Sequence, residues 1–305
     1  MTIRCLFPWA AATALLALAS GAAHAVAVDG KLDAGYTLLS TQTTQTDPVP
    51  DASTGAIDFA TGSELDAAWG VVDTGVLYLF LAGNLKDTVC GFEACSDVDP
   101  LELFIDSQAG GQNQLLGNSP AGLPTAGLRF DPGFAPDHQF EFFAAGALDH
   151  AFTRNAFYAS LPSGGGGTST FLGMGSNPGA PGTLSGGTNP LGIEATIDNS
   201  NTAGVSAGCG SASGSGVTTG VEFAIPLAAI GNPTGCLKIC AFVFSHDRNG
   251  LGNQVLGPLP PGTCALGAAS GVDFSSQPGS QYFTLCFGPT AARRSTWGAV
   301  KSSYR

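Results

Sequence analysis

Apolar residues in this chain fall in short runs between clusters of Gly, Ser, Asn and Pro. That punctuation predicts strands, because a helix needs apolar residues recurring at three and four positions over a longer stretch. "ELDAAWGVV" and "VLYLFLAGNL" are joined through "DTG", a hairpin-like turn, and the second run is apolar on both faces, as in a strand covered on each side. "LELFID", "AGLRFD", "HQFEFFAAG", "AFYASL", "GIEATID", "VEFAIPL", "LKICAFVFS" and "QYFTLCF" follow. So many strands with almost no helix predict an all-β fold, a two-sheet antiparallel β-sandwich of jelly-roll type. Residues 163–192 and 203–220, containing "SGGGG" and "GCGSASGSG", read as long surface loops.

The first 25 residues break the pattern. Arg4, the apolar "AAATALLALAS" and the "AHA" at 23–25 have the order of a secretory signal, with the mature chain beginning at Val26. The apolar stretch is shorter than the roughly 20 residues that a membrane span requires. A secreted or cell-surface protein is therefore expected, with a β-sandwich domain at 26–288 and a basic tail at 289–305. In the tail Trp297, Val300 and Tyr304 recur at helical spacing among Arg293, Arg294, Lys301 and Arg305. A sorting or docking helix and a frayed tail both fit that pattern.

Charge narrows the partners. Arg4 lies in the leader and four bases lie in the tail, so residues 26–288 carry six bases against 23 acids, a net charge of −17. A domain so acidic will not track nucleic acid phosphates or adhere to an anionic membrane by charge. It suits a solvated exterior protein or one that collects cations.

"VDGKLDAGY", "GVLYLFLAGNL", "DVDPLELFIDSQ" and "GVEFAIPLAAIG" resemble, in that order, successive blocks of the family 9 carbohydrate-binding module-like and DOMON-like β-sandwiches. "GSELDAAWG", "GGQNQL", "DNSNTAGV" and "NQVLGPLP" are similar to a group of secreted bacterial proteins without an assigned activity. The resemblance implies a β-sandwich, and sugar binding between aromatic faces, often those of tryptophans. Before its tail this domain has one Trp, Trp69, which alternates with Leu65, Ala67 and Val71 as a core residue of one strand face would.

Catalytic signatures are weak. "GVSAG" at 204–208 matches G-x-S-x-G, but no helix pattern follows Ser206 to present a nucleophile. No phosphate-binding loop exists, since Gly30-Lys31 is followed by Leu32. His138, His150 and His246 are widely spaced and offer no zinc ligand set. In "DVDPLELFID", alternation sends Leu101, Leu103 and Ile105 to the core and Glu102, Phe104 and Asp106 to the other side. Glu102 and Asp106 are then about 13 Å apart along the strand, too far to flank one glycosidic bond. If "LELFID", "AGLRFD" and "HQFEFF" form a meander, Asp97, Asp99, Asp131 and Asp137 gather on loops at one end of the sandwich. Oxygen ligands on loops suit calcium, so these four are a candidate calcium site.

Seven cysteines follow the leader, and in an exported chain they read first as disulfides. Cys90 and Cys95 bracket "GFEA" closely enough to pair. Cys236 and Cys240 lie about 13 Å apart on one strand, beyond bridging range, and need different partners. Cys240 with Cys286, each in a late strand, is the expected second bridge, leaving Cys209, Cys236 and Cys264 to compete for a third.

The expected function is that of a secreted, non-catalytic binding module for an extracellular polysaccharide, calcium-dependent if the aspartate site forms. The alternative is a structural or adhesive component of the cell envelope or extracellular matrix that binds no sugar. The glycine-rich loops and the odd cysteine count favour the alternative.

Overall fold

The computed structural model describes residues 26–43, 63–85, 99–146, 152–176, 181–201, 213–244 and 250–288. The leader, the tail, Asp97, Ser206, His150, His246, Cys90, Cys95 and Cys209 lie outside the described residues. Within them the chain builds β1 (Thr37–Thr41), β2 (Glu64–Asp73), β3 (Val76–Asn84), β4 (Leu101–Asp106), β5 (His138–Gly146), β6 (Phe152–Ser160) and β7 (Ser169–Ser176). These are followed by β8 (Ser185–Gly186), β9 (Glu194–Ile197), β10 (Gly220–Pro226), β11 (Gly235–Phe244), β12 (Leu251–Leu256) and β13 (Phe283–Phe287). One sheet has the order β1-β2-β3-β10-β9. The other runs β12-β11-β4-β5-β6-β7-β8, with β13 also paired to β11. All strand pairs are antiparallel, as the punctuation of the sequence predicts. No described helix is long and apolar enough to cross a membrane.

The "DTG" turn joins β2 to β3 with φ of 47° at Thr74 and 86° at Gly75. Two successive positive φ values match the right-handed twist of the flanking strands, which is why a tight hairpin forms there. Between the sheets, Leu77, Leu79 and Leu81 of β3 and Val221, Phe223 and Ile225 of β10 pack in one core with Leu101, Leu103 and Ile105 of β4 and Phe140 and Phe142 of β5. Each such side chain contributes about 1.5–3 kcal/mol by leaving water.

The other face of β4 is not wet. Phe104 joins Phe242 and Phe244 of β11 in a second core, roofed by Leu115, Leu123, Leu128, Phe130 and Phe134 and by Val272 and Phe274. The expected meander is therefore corrected: β4 pairs directly with β5, and "AGLRFD" makes only isolated bridges, from Arg129 to Gln114 and Asp273. Asn113 explains the difference locally. Its Nδ2 donates to the carbonyls of Phe130, Asp131 and Phe134 at 3.1, 2.8 and 2.9 Å, satisfying backbone acceptors without a sheet neighbour and freeing the phenylalanines to cap the sheet.

A third core lies on the outer face of the five-stranded sheet, beneath residues 26–36. Glu222 of β10 pins this segment, accepting from the backbone N–H groups of Asp29 and Gly30 at 2.9 Å each and from the Tyr36 hydroxyl at 2.6 Å. Trp69 packs here with Tyr36, Ala67 and Phe80, as its alternation predicts. Leu65 belongs instead to the core between the sheets, because a bulge between Leu65 and Ala67 reverses the alternation. Gly83 makes the bulge possible, since a Cβ there would meet the Glu64 carbonyl oxygen at 1.9 Å.

Two further expectations are corrected. Residues 163–192 are not one loop, since "STFLGMGS" is β7, paired along β6, and Ser185–Gly186 pair with β7 in turn. The late disulfide is Cys236–Cys286, not Cys240–Cys286. Cys236 and Cys286 are cross-strand partners, whereas β13 begins at Phe283, opposite Ile239, and so stops short of Cys240. The Cys240 thiol is free and buried in the second core. Cys264 is disulfide-bonded.

Candidate functional site

Tyr158 and Thr170 face each other across β6 and β7, on the side that looks toward the other sheet. Beyond them residues 187–193 fold back along the edge of the sandwich. The Asn189 side chain holds that turn, its Nδ2 donating to the Ile193 carbonyl at 2.7 Å and its Oδ1 accepting from the Ile193 N–H at 2.9 Å. Such reciprocal bonding is what a short amide side chain offers an otherwise open turn. The Thr188 N–H donates to the Phe171 carbonyl at 2.8 Å and ties the turn to β7. Between these elements lies a cleft of about 200 Å³, lined by Tyr158, Thr170, Leu172, Thr188, Ile193 and Ala229, with Pro190 and Leu191 among the remaining wall residues. Leu191 is 48% exposed.

A chain of polar groups joins two walls of this cleft. The Tyr158 hydroxyl lies 2.9 Å from His138 Nδ1, and His138 Nε2 lies 3.3 Å from Asp137 Oδ2. Asp137 accepts from the Ser107 N–H and hydroxyl at 2.8 Å each, and Ser107 Oγ is 3.0 Å from the carbonyl of Ile230, the neighbour of Ala229. Burial would raise the Asp137 carboxyl, but His138 and Ser107 outweigh it and hold it below its ordinary value. An ionised Asp137 favours a proton on Nε2 of His138, while Nδ1 faces the Tyr158 hydroxyl. Tyr158 is raised, by burial first and the Asp137 charge second, and so keeps its proton. The phenol ring, stacked on His138 and packed against Phe140, is a fixed aromatic wall.

Of the aspartates expected to share calcium, the described Asp99 and Asp137 do not come together. Leu101 pairs with Phe142 and Ile105 with His138, so Asp99 lies beyond one end of the β4–β5 pair and Asp137 beyond the other, separated by ~14 Å or more of strand. Asp99 accepts from the Ser63 hydroxyl at 2.7 Å, and Asp131 from the Gln281 N–H at 2.6 Å. Among the described residues no group of three or more His, Cys, Asp or Glu side chains is arranged to hold a metal ion. Asp97 lies outside the described residues. The reason is the lost meander: with β4 hydrogen-bonded to β5, the start of one strand lies beside the end of the other.

A second surface feature lies on the outer face of the eight-stranded sheet. Phe143, Phe157 and Phe171, from β5, β6 and β7, form a half-buried row with ring centroids 5.8 and 4.9 Å apart. Met174, 41% exposed, is on the strand that carries Phe171.

Sequence reasoning found the strand that carries Tyr158 but not the cleft, because the opposite wall sits in the stretch read as a loop. The available signal was "STFLGM", which has apolar and polar residues in strand order just after the glycine run. No protein-family model, curated protein or solved structure matches this chain.

Proposed function

We propose that this chain is an exported, non-catalytic binding module whose cleft takes one ring-sized group of an extracellular glycan. The observation that supports this reading is the preformed cleft itself. Tyr158 is held rigid by His138, Leu172 and Ile193 offer apolar contact to a sugar face, and the Thr170 and Thr188 hydroxyls offer hydrogen bonds to its rim. A fixed aromatic surface with a few polar groups is the usual composition of a small-ligand site. At about 200 Å³ the cavity has room for a single ring rather than a drug-sized molecule. Titration calorimetry with a panel of mono- and oligosaccharides tests the reading. Binding that disappears in a folded Tyr158→Ala variant supports it, and a panel without any binder sinks it.

The second reading is an adhesive envelope component, and the row Phe143, Phe157 and Phe171 with exposed Met174 favours it. Stacked phenylalanines on adjacent strands suit an apolar partner. Concentration-dependent assembly that Phe157→Ser abolishes would select this reading over the first.

A further inference from the structure

Glu102 and Glu141 are direct cross-strand neighbours on β4 and β5, and both are fully buried. In the same row Phe242 of β11 flanks Glu102 and Phe157 of β6 flanks Glu141. Above them sits the turn 119–123, organised around Ser119. Its hydroxyl oxygen accepts from the Leu123 N–H at 2.9 Å, and its backbone bonds to Leu123 and Gly122. Glu141 Oε2 accepts from the Ser119 hydroxyl at 2.6 Å and from the Ala121 N–H at 2.8 Å, so the turn is docked through this one carboxylate oxygen. Glu102 Oε2 accepts from Gln139 Nε2 at 2.8 Å, while Glu102 Oε1 has no partner.

We propose that Glu102 is a neutral carboxylic acid donating its proton to Glu141, and that this acid–carboxylate pair is a pH-released clamp for the roof segment 119–123. A buried oxygen without a donor, beside another carboxylate, is costly as an anion and satisfied as an O–H donor. Burial first, and the Glu141 charge second, hold the Glu102 carboxyl well above its ordinary range against the weaker pull of Gln139 and Ser119. Phe242, Phe157, Gln139 and Ser119 face the pair, and none of these four ionises near neutrality. Along the same strands the described titratable groups include Asp99, which precedes β4, Asp106 at its far end, His138 at the start of β5 and the Cys240 thiol opposite Phe104. Removing the proton places two adjacent anions under the roof. Lifting the turn then hydrates them and uncovers Leu115 and Leu123 of the second core.

Hydrogen exchange of residues 115–125 across the neutral to alkaline range tests this in the intact protein. Opening that releases one proton grows about tenfold per pH unit beyond the intrinsic pH dependence of exchange. Glu102→Gln keeps a donor toward Glu141 and supplies no proton, so its roof should show the intrinsic dependence alone. Identical profiles in the two proteins overturn the proposal. Infrared spectroscopy gives a second measurement that needs no Glu102 variant. In an Asp66→Asn/Glu222→Gln protein at about pH 8.5, a buried protonated-carboxyl stretch should remain, and its absence overturns the proposal.

Discussion

Cys236 and Cys286 lie directly opposite each other on β11 and β13, and their disulfide closes a loop across 50 residues of sequence. Four residues further along β11, Cys240 is buried without a disulfide partner. A loop of that length constrains the unfolded chain by about 4 kcal/mol in the chain-entropy account, so Cys286→Ser should lower stability by roughly that amount in urea denaturation. Burial pushes the Cys240 thiol well above its ordinary value. Peptide mapping after alkylation of the native protein should therefore find Cys240 unmodified, and modified once the protein is unfolded.

Glu222 and Asp66 set a pH window. Burial pushes each carboxyl up to about 7, at Glu222 against the bonds from Tyr36, Gly30 and Asp29. A carboxyl raised in the folded state binds its proton more tightly there than in the unfolded chain. Stability should therefore fall as pH climbs from about 4 to about 7 and level off above that. The shift at Glu222 corresponds to roughly 3 kcal/mol. Glu222→Gln should flatten the pH dependence between about 4 and 7, measured by melting temperature; a slope identical to the parent's would show that Glu222 does not titrate there.

Asp137 acts with the opposite sign. Its carboxyl is lowered, so its contribution is present above the unfolded-state value and is lost as pH falls through the folded one. Asp137→Asn should reduce stability at neutral pH and remove part of the acid transition. It should also free the Tyr158 ring, which nuclear magnetic resonance would detect as faster ring flipping.

The second core should matter as much as the first. Phe130→Ala, in the roof, and Phe140→Ala, between the sheets, each remove a fully buried ring. Each should cost about 3–5 kcal/mol. A roof variant that loses less than about 1 kcal/mol would mean that segment 107–137 is a loosely held cover.

Period-two alternation was enough to place Leu101, Leu103 and Ile105 inside, and an unbroken apolar run to make "VLYLFLAGNL" a strand covered on both faces, because side-chain direction in a strand follows from local geometry. The same local logic identified the "DTG" hairpin and the packing of Trp69. Strand partnership is not local. Whether "LELFID" pairs with "AGLRFD" or with "HQFEFF" depends on which distant backbone groups are satisfied elsewhere, and Asn113 resolves that from outside both strands. That single choice moved Asp137 away from Asp99, put it beside Ser107, and turned the expected outward face of β4 into the floor of a second core. The sequence by itself determined an all-β chain and the faces of its strands. Only tertiary pairing decided the Cys236–Cys286 bridge, the buried Glu102 and Glu141, and the cleft at Tyr158, since each depends on register between segments far apart in the chain.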